Sequence, residues 1–379
     1  MPNSHSHSLP GPEDIHRVQF SNGIVALSRA NFNSPSVVIS GLIEAGSLFD
    51  PVEKLGLADF TALALKRGTS QHTFQELYDT LESAGASLGI SSGTHTTGFS
   101  GNALVEDLDM LLSLLAEVLR QPAFPDEQVE RLRTQILTGL AIRAQDTGDM
   151  ASLTFDQIVY QNHPYRFPED GYPETVQNIS REDLVDFQQK HFGPRGMIIA
   201  IAGAVDPAVA AEKVLRAFGD WQNPNQPDLP ALPPVQPLRT TITQRVVIPG
   251  KAQADLVIGS YGPPRSSPDY LAASLGNNML GQLGMMGRIG EAVREKAGLA
   301  YYASSSLGGG PGPAPWDISA GINPANIQQA TDLIVQEIRR FTSEPVSADE
   351  LADSQSSYIG SLPLSLESNH GVARAMIHV

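Results

Sequence analysis

The chain contains no cysteine, which excludes disulfides, iron–sulfur clusters, thiolate nucleophiles and Cys-based zinc sites. Basic residues are scarce: 25 Lys and Arg stand against 41 Asp and Glu, a formal net charge of −16. That balance disfavours a protein that neutralises nucleic-acid phosphates. No run approaches the roughly 20 consecutive apolar residues that a membrane-spanning helix needs. The opening "MPNSHSHSLPGPEDIH" holds neither a basic nor an apolar region, so no secretory signal is read there. The expectation is a cytoplasmic protein with neither nucleic acid nor membrane as partner, and a disordered tail over residues 1–16. His5 and His7 form an H-x-H pair within that polar tail.

Motifs are also missing. None of the nine histidines sits in H-E-x-x-H or H-x-x-E-H. No phosphate-binding G-x-x-x-x-G-K-[ST] loop and no G-x-S-x-G elbow occurs. His72 with Glu76 reads as a solvated first helical turn, and His95 as a strand residue that packs or hydrogen-bonds. The run "GGGPGP" (Gly308 to Pro313) lacks a phosphate loop's Lys and reads as a hairpin loop.

What is present is enough chain for two domains: 379 residues, 41% of them hydrophobic. One stretch, "QNPNQPDLPALPPVQP", carries Pro224, Pro227, Pro230, Pro233, Pro234 and Pro237. It reads as an extended, stiff linker over 222–238, separating a domain at 17–221 from one at 239–379. The halves resemble each other. Glu117 matches Glu337, Pro125 matches Pro345, Glu130 matches Glu350 and Gln135 matches Gln355, with Gly101 and Gly321 at the same spacing; this implies a duplicated domain.

Each half mixes the two hydrophobic periods. "HRVQFSNGIVALSRA" reads as a hairpin around Asn22-Gly23, and "SVVISGLIEAGS" and "GMIIAIAGAV" as buried strands. Helices are expected at 54–66, 73–85, 104–120, 126–146 and over "REDLVDFQQKHF". In the second half, "ADLVIGSYG" reads as a strand and 267–279, 285–297 and 325–341 as helices. The fold class is α+β, two homologous domains, each an antiparallel-rich sheet covered by helices. By the repeat, the second half ends short of the first half's last helix and strand and is expected to be truncated.

Gly56 to Thr69, "GLADFTALALKRGT", together with the following "TFQELYDTLESAGASLGISSGTHTTGFSGNAL", resembles the pitrilysin/insulinase family of metallopeptidases, which includes the mitochondrial processing peptidase subunits. Catalytic members read G-x-x-H-F-x-E-H-x-x-x-K-G-T. Two His one turn apart and a later Glu hold zinc, and the intervening Glu acts as general base. This chain keeps Gly56, Phe60, Lys66, Gly68 and Thr69. The resemblance puts Asp59 and Leu63 at the two His positions, Ala62 at the general base, and Gly139 or Leu140 at the third ligand. One carboxylate cannot make a three-ligand zinc site, so no metal and no cofactor is expected in this chain.

"LGQLGMMGRIGEAVREKAGLAYYASSS" is similar to the family's second-domain segment R-E-K-x-G-L-A-Y. The resemblance implies that Arg294 and Tyr301, with Tyr302 as the alternative, hold substrate and stabilise the oxyanion. It implies a catalytically incomplete subunit of a heterodimeric zinc peptidase. A zinc-bearing homologous subunit and a peptide substrate are the expected partners, and a homodimer is open when the chain is isolated. A non-proteolytic scaffold of the same fold and a residual enzyme with another metal arrangement stand as alternatives.

Overall fold

The computed structural model describes residues 11–283 and 286–377. His5, His7, the first ten residues of the expected tail, Met285 in the helix expected at 285–297, and His378 lie outside them. The tail's last residues are ordered: Pro12–Asp14 form a 3₁₀ turn and His16 opens the first strand.

The order of elements begins β1 (His16–Gln19), β2 (Val25–Ala30), β3 (Ser36–Ile43), α1 (Leu57–Ala64), α2 (Phe74–Ser83), β4 (Ser87–Ser92) and β5 (Thr97–Leu104). Helices α3 (Leu108–Arg120), α4 (Asp126–Arg143), α5 (Thr147–Val159), α6 (Pro173–Gln177) and α7 (Arg181–His191) follow, then β6 (Ile198–Gly203) and α8 (Pro207–Phe218). After an irregular stretch come β7 (Ala254–Tyr261), α9 (Tyr270–Asn277), β8 (Ala300–Leu307) and β9 (Pro315–Ile322). The last elements are α10 (Ile327–Ser343), α11 (Ala348–Ser365) and α12 (Asn369–Met376).

Two compact units form. One holds the described residues up to Leu140, Pro168–Pro230 and those from Leu362 onward; the other holds Ala141–Phe167 and Ala231–Ser361. The units are interleaved in sequence, where the proline stretch suggests two consecutive domains. The cause is visible in the helices. α11 begins 222 residues after α4, and α12 begins 222 residues after α5, so α5 and α12 are equivalent. α5 belongs to the second unit and packs on β7; α12 belongs to the first and packs on β3 and β6. Each unit therefore contains the helix that follows the other's long pair. Val372, Ala373 and Met376 of α12 cluster with Val38, Ala200 and Ala202, an apolar burial that fixes the exchange.

The first unit's sheet runs β1-β2-β6-β3-β5-β4, antiparallel except for β2 beside β6. β3, "SVVISGLI", is buried at most positions because it lies between β6 and β5 and is covered on both faces. The Asn22-Gly23 hairpin forms as read, with Gly23 at φ +101°. Helices α2 and α7 start with the Thr73/Glu76 and Ser180/Asp183 capping boxes. One large apolar cluster links α1, α3, α7, α8 and the sheet.

The second unit's sheet has the order β7-β9-β8, all antiparallel. Its central pairing is antiparallel like that of the first unit: Ser36 opposes Leu104 there, and Ala254 opposes Ile322 here. Gly101 lies on the core face between Phe99 and Ala103, whereas Gly321 lies between the core residues Ala320 and Ile322 and faces Tyr302, so the Gly101–Gly321 match made along the sequence does not join equivalent positions. "GGGPGP" is the β8–β9 hairpin loop, as read. Residues 222–253 carry neither helix nor strand.

Candidate functional site

Helix α1 carries the degenerate zinc positions. Gly56, at its N-terminus, adopts φ +95°, and a Cβ there would lie 2.9 Å from the Asp170 carbonyl oxygen, so only glycine fits. A glycine offers no capping side chain, and Asp50 takes over: its carboxylate accepts the N–H groups of Gly56 (2.9 Å) and Ala58 (3.0 Å). Burial pushes Asp50 up to about 7, against those hydrogen bonds.

Each retained residue of the family frame has a structural task. Phe60 is 0% exposed in the main cluster, with the Arg133 guanidinium 5.1 Å from its ring centroid. Lys66 donates to the Leu88 carbonyl at 2.6 Å, and burial lowers its pKa. Counting along the family pattern, however, puts Arg67 and not Lys66 at the family's lysine position; Arg67 donates to Gln135 Oε1 at 2.7 Å. Gly68 sits at φ +134°. The Thr69 hydroxyl donates to buried Glu117 and accepts the His72 N–H at 2.9 Å. His72 Nδ1 lies 2.9 Å from Glu117 Oε1, so it belongs to this network and is not a merely solvated turn residue. His95 lies in the turn between β4 and β5, not on a strand, and burial lowers its pKa.

The former ligand positions tell the opposite story. Ala62 is 0% exposed within the apolar core, and Leu63 packs against the same cluster. Gly139 is exposed on α4, and Leu140 beside it is buried. Only Asp59 bears a donor. Its carboxyl is raised to about 7, first by burial and then by the nearby charges of Asp170 and Glu169. Among the described residues no group of three or more His, Asp or Glu is placed to hold a metal ion. The side chains at these positions do not fit zinc: the leucine and alanine of α1 and the glycine of α4 supply no electron pairs, which leaves the Asp59 carboxyl alone.

The raised carboxyl has a measurable consequence. A group held above its unfolded value favours folding at low pH, and that contribution is lost as pH rises from about 4 through 7. Asp59→Asn is therefore expected to match the parent chain below pH 4 and to exceed it by about 1–3 kcal/mol at pH 8, allowing for partial solvation. Urea unfolding at pH 4 and pH 8 measures this; an equal difference at both pH values would contradict it.

The second unit carries the Arg/Tyr segment. Gly290–Lys296 is a seven-residue π-helical stretch, and Gly298 ends it at φ +62°. Helical stretches of this kind are rare and recur at functional sites. Arg294 is exposed there, and its side chain makes no hydrogen bond or ion pair among the described residues. Tyr301, on β8, is 81% exposed. It is the extra residue at a register shift between Ala300 and Tyr302, a β-bulge. Tyr302 has a different position: it is half-buried and its Oη donates to Asp255 Oδ1 at 2.6 Å.

Arg288 anchors the base of the segment. It is buried against Phe341 and donates to Glu350 at 2.7 and 3.0 Å, which, with the Ser347 backbone, holds Glu350 at about 2. Glu350→Gln leaves the Arg288 charge without its counterion and is expected to cost about 1–3 kcal/mol, less than for a fully buried pair because Glu350 is partly solvated. The loss should shrink as pH falls from about 4 towards 2, where the parent Glu350 is itself neutralised. Denaturant titrations at pH 7 and pH 2.5 test this.

Two α+β units, one with a largely apolar helix at the positions matched to the family's zinc motif and the other with an exposed Arg and Tyr, have the class of architecture that the resemblance implies. Comparison with known proteins makes this specific. The family model for insulinase (peptidase family M16) matches residues 25–165, and that for the peptidase M16 inactive domain matches residues 178–358. The chain belongs to this insulinase-type peptidase family, M16, and its second half is of the inactive-domain type.

An uncharacterized zinc protease of Streptomyces coelicolor is 24% identical over 315 residues, 82% of this chain and 68% of the relative. A probable mitochondrial-processing peptidase subunit beta of Arabidopsis thaliana is 26% identical over 215 residues, 57% of this chain and 40% of that protein. The crystal structure of a peptidase M16 inactive domain from Pseudomonas fluorescens superposes with a TM-score of 0.86 at 25% identity, covering 96% of this chain and 86% of that one.

Proposed function

We propose that this chain is the metal-free subunit of a peptidase pair, lending Arg294 and Tyr301 to a zinc-bearing homologous subunit that cleaves peptides. The observation that carries this reading is the contrast between the two motifs. Of the positions matched to the zinc motif, Ala62 and Leu63 are apolar and packed and only Asp59 keeps a carboxyl, while the Arg294 and Tyr301 side chains stand in solvent without partners among the described residues. An exposed guanidinium and phenol lacking intramolecular bonds contribute little to stability, so their use is sought outside the fold. Both are strong donors. Arg294 suits the backbone carbonyls of an extended peptide, and Tyr301 suits the negative charge that develops on the carbonyl oxygen under attack. In this reading zinc belongs to the partner alone, and the substrate adds as a strand to the partner's sheet edge. The likeness to a relative named as a subunit supports a paired assembly.

The test is reconstitution. The chain alone should neither hydrolyse a peptide nor retain stoichiometric zinc after dialysis, and mixing it with a zinc-bearing homologue should produce activity. A partner that is equally active without this chain would overturn the reading and favour a scaffold. Stoichiometric zinc in the chain by itself would overturn it in favour of another metal arrangement.

A further inference from the structure

The adjacent tyrosines have separate duties, and the second is built into a row across the sheet. Tyr302 on β8 opposes Gly321 on β9, and Gly321 opposes Asp255 on β7. The outer strands of such a row are about 9–10 Å apart, a span that a Tyr and an Asp can bridge only if nothing stands between them. Gly321 provides that space: a Cβ there would lie 2.5 Å from the Tyr302 ring. The ring crosses the glycine, and its hydroxyl meets Asp255 Oδ1 at 2.6 Å. Asp255 is itself held. The Thr147 hydroxyl at the start of α5 donates to its other oxygen, and Gln253 Nε2 lies 3.0 Å from Oδ1. Burial first, and then the bond to Asp255, raise the Tyr302 pKa.

The bulge adjoins this row. β8 pairs in regular register from Tyr302 to Leu307, and the shift falls between Ala300 and Tyr302. Ala300 and Ala303 pack on the unit's core. Tyr302 is fixed on the opposite face, so the extra residue, Tyr301, is turned out of the sheet. Bulges turn side chains in this way, but they are tolerated irregularities that need a clamp to stay in one place.

We infer that Asp255, acting through Tyr302 across Gly321, is a positioning residue that pins the β8 bulge and so aims Tyr301. The catalytic consequence rests on the function proposed above; the clamp itself does not. Tyr302 is thereby removed as the alternative donor and becomes the fixed point for its neighbour.

Two variants test this: Asp255→Ala removes the acceptor, and Tyr302→Phe removes one hydroxyl with little risk to folding. In the reconstituted pair each is expected to lower kcat about tenfold, with KM within about twofold. In a Tyr301→Phe background each should cost less than about twofold, because the group they aim has lost its hydroxyl. Equal losses in both backgrounds would overturn the inference, since a merely structural defect adds independently of Tyr301. Amide hydrogen exchange on this chain gives a readout that needs no partner. Exchange at residues 300–303 should quicken about tenfold in both variants relative to 304–307, and unchanged exchange would also overturn the inference. If the unmodified pair shows no activity while exchange quickens, the proposed function fails and the clamp stands.

Discussion

Replacing Arg294 by alanine is expected to cut the turnover of the reconstituted pair about 10²–10³-fold, and Tyr301→Phe by a comparable factor. In the proposed roles Tyr301 acts on charge that is fully developed only in the transition state, so its loss should fall mainly on kcat. For Arg294, proposed to hold the ground-state peptide as well, kcat and KM should both suffer. The chain's own fold gives a clean background. Arg294 is exposed and unpaired among the described residues and Tyr301 is 81% exposed, so neither change removes a packed group, and the melting temperature should barely move. Steady-state kinetics with a fluorogenic peptide, beside thermal unfolding of the variant chain, separate the two effects. Full activation of the partner by both variants would end the donor-lending proposal.

The second large effect concerns α1, the helix matched to the family's zinc motif. Phe60→Ala is expected to destabilise the chain by about 3–5 kcal/mol, because Phe60 is fully buried and truncation leaves a cavity. Leu57, Ala58, Ala62 and Ala64 are buried in the same cluster, and the Arg133 guanidinium loses the ring face beneath it. Set beside Asp59→Asn, which is expected to be stabilising at pH 8, this pair of variants separates packing from the buried carboxyl on one helix. Chemical denaturation of both variants at pH 8 gives the comparison. A loss below about 1 kcal/mol for Phe60→Ala would mean that α1 is not held by the core and that its retention needs another cause.

Much of the fold was legible because the signals are local. The Asn22-Gly23 turn, the apolar run of β3, the Thr73/Glu76 box and the "GGGPGP" loop each specify their structure within a few residues. α5 and α8 were not read as helices. α5 carries Gly148 and several polar residues and gains its partner from β7, more than ninety positions away in sequence. α8 begins at an Asp206 cap and Pro207, a signal that was present and missed. The site was legible in the same uneven way. Asp59, Ala62, Leu63, Gly139, Arg294 and Tyr301 could be named from two motifs, whereas Asp255 has no motif, and the part Gly321 plays beside it is visible only when three strands are placed side by side.

The sequence by itself determined that the side chains of Ala62, Leu63 and Gly139 offer no electron pair in any conformation, and the absence of cysteine holds whatever the fold. It also determined the duplication, since two halves of one hydrophobic pattern must bury similar faces. The tertiary structure alone decided which of two adjacent tyrosines is turned to solvent and which helix completes which unit. Those outcomes depend on register across strands and on contacts between segments more than 150 residues apart, where the energy lies in pairings that no local pattern encodes.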